Sequence, residues 1–421
     1  MNKKELRQLS KSDLIRIILS QSEQISEIQR YLKAFDNPHT PSSKKKKKSK
    51  PPKKEGRFPG KPPGSNGGGI HMPDANKFEE HSLDSCPNCH NELGNPTKTT
   101  SQKQLDLPDK LAICTEHQIN HYHCSHCNAD ISATSINGRY GPKLKSFVAS
   151  LKEKGLSCQE ISSTVKEMGF LSFSVACVVS IMVFFSSILA PARNFLMKEI
   201  MKSPYIHSDE TGLRMDGQSG QVWGFFTEGI SILTAELSRG KHIVQKMLGK
   251  YEGVNITDGY IGYVDLAIRQ RCWSHLIREF KELAKKHDEV KVLHDRINKL
   301  YSGIKVYEEI VPSQRVKDYF RFELDDIVTC LNANKQFRKL ANLIDNGGDD
   351  WFTALDYPGV KFQNNLAERG LRRIVMHRKR MGCYRNEIGK NWIDNCLSVM
   401  QTWRLKGMNI FENLTAIAKE T

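Results

Sequence analysis

Three acidic residues stand out by their settings. Asp209 lies in "HSDET" and Asp258 in "ITDGY", each after an apolar run that reads as a β-strand, so each carboxylate can project from a sheet edge into a cleft. Glu368 lies in "NNLAERGLRR", on an expected helix whose preceding asparagines suit an N-terminal cap. It is the single acidic residue of 361–386, set among Lys361, Arg369, Arg372, Arg373, Arg378, Lys379, Arg380 and Arg385. Taken singly, an aspartate at a strand end is as readily a turn former, and Asp258-Gly259 is a turn signal. Taken together, three carboxylates on two strands and a helix can share two Mg²⁺ (or Mn²⁺) ions about 3.5–4 Å apart. Such a pair activates an attacking water or 3′-hydroxyl and stabilises the leaving oxygen of an in-line phosphoryl displacement; hard cations of this kind select oxygen ligands. Arg372, at i+4, can pair with Glu368. With Arg373, Arg378, Lys379 and Arg380 it can also hold the phosphates of a DNA strand.

Cysteine carries a second chemistry. "CPNCH" at 86–90 and "CSHC" at 124–127 each present two thiolates from a tight knuckle, and two knuckles complete a tetrahedral site. Cys86, Cys89, Cys124 and Cys127 are therefore the expected ligands of a structural Zn²⁺, since four thiolates leave no open position for chemistry. Cys114, His117, His121, His123 and His126 lie near enough in sequence to substitute. "CWSH" at 272–275 offers only two ligands and reads as structural, with His275 and Arg278 as alternative contacts to DNA phosphate. No GxxxxGK[ST] occurs, which argues against nucleotide hydrolysis. The start of the chain has no secretory apolar core, so a cytoplasmic protein with reduced thiols, nucleoid-associated when bound to DNA, is expected.

The net charge is +16, and the segment 44–61 alone holds ten Lys or Arg against one Glu. A basic excess concentrated in a tether suggests a polyanionic partner, and Lys44, Lys45, Lys46, Lys47 and Lys48 would bind phosphate backbones by counterion release. Residues 168–192 contain no charge and are long enough to consider as a membrane span. The five serines between Ser172 and Ser187 favour a buried core helix, and no membrane partner is expected.

These groups need elements to position them. Residues 1–36 read as a leucine-zipper-like helix with Leu14, Ile18, Ile25, Ile28 and Leu32 on one seam, which suits a homo-oligomer, dimer or higher. Residues 37–75 form a basic linker too poor in apolar residues to fold, and 76–138 form the zinc-binding domain. Residues 139–203 are helical, in a helix-turn-helix-like order whose third helix lacks base-reading side chains. Over 204–390, three strands, a helix and a fourth strand follow the opening order of a ribonuclease-H-like α/β domain, with a helical insertion at about 272–345. A helical element over 391–421 ends a chain whose expected class is multidomain α+β.

At these residues the chain resembles a known family. "SPYIHSDETGLRMDG", "NITDGYIGY…QRCWSHLIREF" and "NNLAERGLRRIVMHRKRMGCYRN" look like the three catalytic blocks of the DDE transposases of insertion-sequence family 66. The likeness extends in order over nearly the whole chain. It implies that Asp209, Asp258 and Glu368 form a DDE triad that cleaves and joins strands at transposon ends in double-stranded DNA, with or without accessory transposition proteins. The competing readings are a non-catalytic zinc-ribbon DNA-binding protein and a general ribonuclease-H-like nuclease.

Overall fold

The computed structural model describes residues 115–116, 121–124, 129–132, 139–169 and 173–420. The expected zipper helix, the basic linker with Lys44 to Lys48, and Cys86, Cys89 and Cys127 lie outside the described residues. Strands β1 (His121–Cys124) and β2 (Ala129–Ser132) pair antiparallel, with Cys124 opposite Ala129.

Three helices occupy the region where periodicity and turn residues place them. Helix α1 (Pro142–Glu153) opens on a proline that gives up an amide the first turn would not use, and stops at Gly155, φ 88°. Helix α2 (Cys158–Glu167) is held by a reciprocal capping box in which Ser157 Oγ accepts from Glu160 N and Glu160 Oε2 from Ser157 N. Helix α3 (Val175–Ile200) is the one described helix long and apolar enough to cross a membrane. Its stripe of Val178, Ile181, Met182, Phe185 and Leu189 is buried in the main core. One of its serines joins that packing, Ser186, whose Oγ lies 3.5 Å from Cys396 Sγ and whose carbonyl accepts from Asn395, while Ser180 and Ser187 are exposed.

The mixed sheet is built around β3 (Tyr205–Met215). On one side β4 (Gln218–Phe226) and β5 (Ser231–Glu236) extend it as an antiparallel meander, closed at Asp216-Gly217 by two residues with positive φ. Helix α4 (Lys241–Leu248) then carries the chain to the other side, where β6 (Val254–Thr257) and β7 (Arg269–Arg271) run parallel to β3. The spatial order is β5-β4-β3-β6-β7, with β8 (Cys383–Tyr384) pairing the far end of β3.

Between β7 and the next core helix the chain inserts α5 (Trp273–Ala284), α6 (Val290–Lys305), α7 (Gln314–Asn332) and α8 (Arg338–Asp345), which build a second core on β6. Trp273 is its centre: fully buried, stacked on Tyr301, edge-on to Trp351 and Phe352, and bonded through Nε1 to the Trp351 carbonyl. Helix α9 (Asn365–Met381) returns to the main sheet. Helix α10 (Asn386–Asn391), a π-helical turn (Trp392–Leu397), α11 (Ser398–Leu405) and α12 (Ile410–Glu420) complete the main core. The class is mixed α+β, with helices on a mixed sheet.

Candidate active site

The parallel pairing of β3 with β6 sets the two aspartates side by side. Its register runs Tyr205 to Val254, Ile206 to Asn255 and His207 to Ile256; carried two residues further, it brings Asp209 level with Asp258. Asp258 is the first residue beyond β6, at the carboxyl end of a parallel strand, where open sheets form their binding crevice. Its carboxylate accepts the Tyr260 amide at 2.8 Å, closing a turn over Gly259. Gly259 has φ 92°, and a Cβ there would stand 3.0 Å from the Arg271 guanidinium, so only glycine lets the loop turn beside that cation. Asp209 Oδ1 accepts the Glu210 amide at 2.9 Å.

Glu368 comes from the first turn of α9, which lies against β3 and β4. Contact is close because Gly370 faces the Phe226 ring: a Cβ at 370 would meet it at 2.3 Å. The helix start is fixed by Asn364, fully buried, and not in the manner the asparagine pair suggests. The side chain caps nothing on its own helix. Instead Nδ2 donates to the Ser208 carbonyl at 2.7 Å, Oδ1 pairs with His207 Nδ1 at 3.1 Å, and the amide donates to Cys272 Sγ at 3.1 Å. Asn255 reinforces the junction by donating to Ser208 Oγ. One residue thus ties the strand bearing Asp209 to "CWSH" and to the helix bearing Glu368.

The electrostatics follow from this convergence. Burial pushes the Asp209 carboxyl up to about 7, and the negative charges of Asp258, Glu210 and Glu368 push the same way against the Glu210 amide. Burial also raises Glu210, opposed by hydrogen bonds from Arg239 and Tyr263. Glu368 reaches His275 Nε2 at 3.5 Å and Arg278 at 3.4 Å, with about a third of its side chain exposed. Its partners are therefore two residues of α5, and not Arg372 one turn along its own helix. Among the described residues no three His, Cys, Asp or Glu groups stand at ligating distance of one point. The donor set still fits a hard divalent cation: oxygen ligands, an excess of negative charge around a half-buried carboxyl, and a third carboxylate held by two long contacts.

The remaining basic candidates divide by helical phase. Arg372 and Lys379 are exposed on α9. Arg380, also exposed, reaches Glu160 at 3.4 Å. Arg378 is bonded back to the Gly212 carbonyl of β3. Arg373 turns inward to Glu153, which is 2% exposed, at 2.7 Å, and Arg404 reaches the same carboxylate at 3.0 Å. Its charge is committed inside the protein. Cys124 is the last residue of β1.

Two residues close to the carboxylates carry no warning in sequence. Glu210, next to Asp209, reads as a strand residue, and Arg239, in "LSRG", reads as a surface turn. The structure joins them by a guanidinium–carboxylate contact of 2.6 Å.

A comparison with curated proteins finds no match. The family model described as transposase IS66 family matches residues 137–391, which takes in α1 to α3, the whole mixed sheet, the inserted helices and α9. That span exceeds half of the chain and contains all three carboxylates with the elements that bring them together, and on this ground the chain belongs to the IS66 family of transposases.

Proposed function

We propose that this transposase binds the ends of an insertion sequence and catalyses Mg²⁺- or Mn²⁺-dependent strand cleavage and strand transfer, with Asp209, Asp258 and Glu368 as a DDE triad in a ribonuclease-H-like domain. One observation carries the proposal: a half-buried carboxyl at Asp209, level with Asp258 across a parallel register and raised to about 7 by desolvation and by its carboxylate neighbours, Glu368 among them. Carboxylates crowded to that degree are stabilised by a cation placed among them. The strand order β5-β4-β3-β6-β7, antiparallel then parallel, supports the ribonuclease-H-like reading.

In this reading Asp209 and Asp258 hold the metal from adjacent strands and Glu368 completes the set from α9. Bound there, the ions supply an activated water or 3′-hydroxyl and a stabilised leaving oxygen. The Tyr260 amide orients Asp258, and the Asn364 clamp keeps α9 at a constant height over β3. Arg278, Arg372 and Lys379 offer charge to the DNA backbone. A structural zinc on Cys86, Cys89, Cys124 and Cys127, and pairing through the amino-terminal heptads, belong to the same proposal; the strand that ends at Cys124 suits a knuckle there.

The test is cleavage of duplex DNA carrying the element's own end, with Mg²⁺ or Mn²⁺. Glu368→Gln is expected to keep end binding and lose cleavage. An Asp258→Ala variant that nicks as fast as the unaltered protein would sink the triad, and cleavage indifferent to the end sequence would favour a general nuclease.

A further inference from the structure

Arg239 sits at the end of the β5–α4 turn, and its guanidinium is held on two sides. Nε and Nη2 both donate to Glu210 Oε1, at 3.1 and 2.6 Å, while Glu210 Oε2 accepts the Tyr263 hydroxyl at 2.9 Å. The Glu210 side chain is 2% exposed and that of Arg239 is 52% exposed, so the carboxylate is an internal anchor and the cation keeps a free edge in solvent. The guanidinium also stacks on the Tyr260 ring, 4.0 Å from its centroid, and the Tyr260 hydroxyl donates to the Arg239 carbonyl. Tyr260 is the residue whose amide holds Asp258. The arginine is thus fixed at the rim of the carboxylate cluster, close enough to Asp258 for the two charges to act on each other.

An ordinary surface arginine is mobile and strongly screened. One locked by a two-nitrogen contact to a buried carboxylate and by a ring face has surrendered its freedom before any ligand arrives, the condition in which a charge stabilises a transition state at least cost. Its planar free edge matches a phosphodiester's non-bridging oxygens. We propose that Arg239 is a further catalytic residue of this enzyme, contacting a non-bridging oxygen of the phosphate that is cut or of the one next to it. The inference rests on the transposase reading above and adds to it a residue outside the triad and outside the basic helix α9.

The experiment compares the full-length protein with Arg239→Ala on end-bearing duplexes in which single linkages around the cleavage position are neutral methylphosphonates. Arg239→Ala is expected to bind the end within about threefold of the unaltered protein, because one contact among many is lost. Its cleavage is expected to fall about 100-fold. At one linkage the methylphosphonate should slow the unaltered protein at least about tenfold more than it slows Arg239→Ala, since in the variant the contact is already gone. A merely structural arginine would lower activity and leave the methylphosphonate profile unchanged. Wild-type cleavage by Arg239→Ala, or the same profile in both proteins, overturns the proposal. Should Arg239→Ala lose its thermal transition, Arg239→Lys carries the same comparison, because it keeps a charge opposite Glu210 and gives up the fork and the stacking. Asp258→Ala is run alongside: if it cleaves normally the triad fails and this inference with it, whereas an inert Asp258→Ala beside a fully active Arg239→Ala refutes the arginine alone.

Discussion

Asn364→Leu tests whether the junction of three sequence blocks is what places Glu368. Leucine keeps the branched four-atom outline of asparagine with bulkier methyl ends and no polar atoms, so the change removes the bonds to Ser208 O (2.7 Å) and His207 Nδ1 (3.1 Å) and crowds a fully buried position. Each neutral bond contributes about 1 kcal/mol net. His207 is 2% exposed, and its Nε2 already has no partner among the described residues, so losing Nδ1 as well leaves a buried imidazole without any there. That orphaning costs a further 1–3 kcal/mol or so, for a total near 3–5 kcal/mol, to which crowding by the larger leucine adds. Burial holds the His207 pKa down at about 4, so the ring is neutral at pH 7 and no ion-pair energy enters. At roughly 2–4 °C per kcal/mol for a domain of this size, the melting transition should drop by about 6–20 °C. The diagnostic is the double variant His207→Phe/Asn364→Leu. With the orphaned ring gone, it should be at least about 1 kcal/mol more stable than the sum of the two single changes implies. Cleavage by Asn364→Leu, measured well below its melting point, should fall more than its end binding does, because α9 loses its tether to the strand bearing Asp209. A loss below about 1 kcal/mol, or strict additivity in the double variant, would refute the clamp.

Two further outcomes follow from the charges. Asp209 has its folded pKa raised from 3.8 to about 7, so its contribution to stability is whole below pH 4 and is lost as pH rises through 7. A cation at the site removes that loss: the gain in melting temperature from Mg²⁺ over EDTA should be near zero at pH 5 and grow through pH 7, and Asp209→Asn should flatten the curve, whereas a gain independent of pH would tell against metal binding there. Arg373→Ala leaves Arg404 as the one cation on the buried Glu153 among the described residues and should lower stability by about 3 kcal/mol while the salt dependence of DNA binding holds. Arg372→Ala should do the reverse, with little change in melting and a salt slope smaller by about one; equal salt slopes for the two variants would contradict the inward placement of Arg373.

The limits of legibility are clearest on α9. That Arg378, Lys379 and Arg380 lie in a helix's last turn is readable, because cations suit the carbonyl end and Gly382, φ 81°, stops the helix. The strands around Asp209 and Asp258 are readable too, since short runs rich in β-branched and aromatic residues between Gly or charged turns mark them. What composition hides is destination. Asn364 looks like a cap because its neighbours in sequence are its own helix; its partners, Ser208, His207 and Cys272, are 92 to 157 residues away. Arg239 looks like a turn cation for the same reason, since the carboxylate that immobilises it belongs to another strand.

Arg372 and Arg373 are indistinguishable as charges yet differ by 100° about the helix, on the ideal period of about 3.6 residues per turn. Leu366, Ala367, Gly370, Leu371, Ile374 and His377 mark the buried stripe, and Arg373 borders it three residues after Gly370 and four before His377. A basic run therefore has to be read by helical phase before it is read as a DNA surface. On α9 that phase sends one cation to a buried glutamate and leaves Arg372 and Lys379, seven residues apart, on one exposed face.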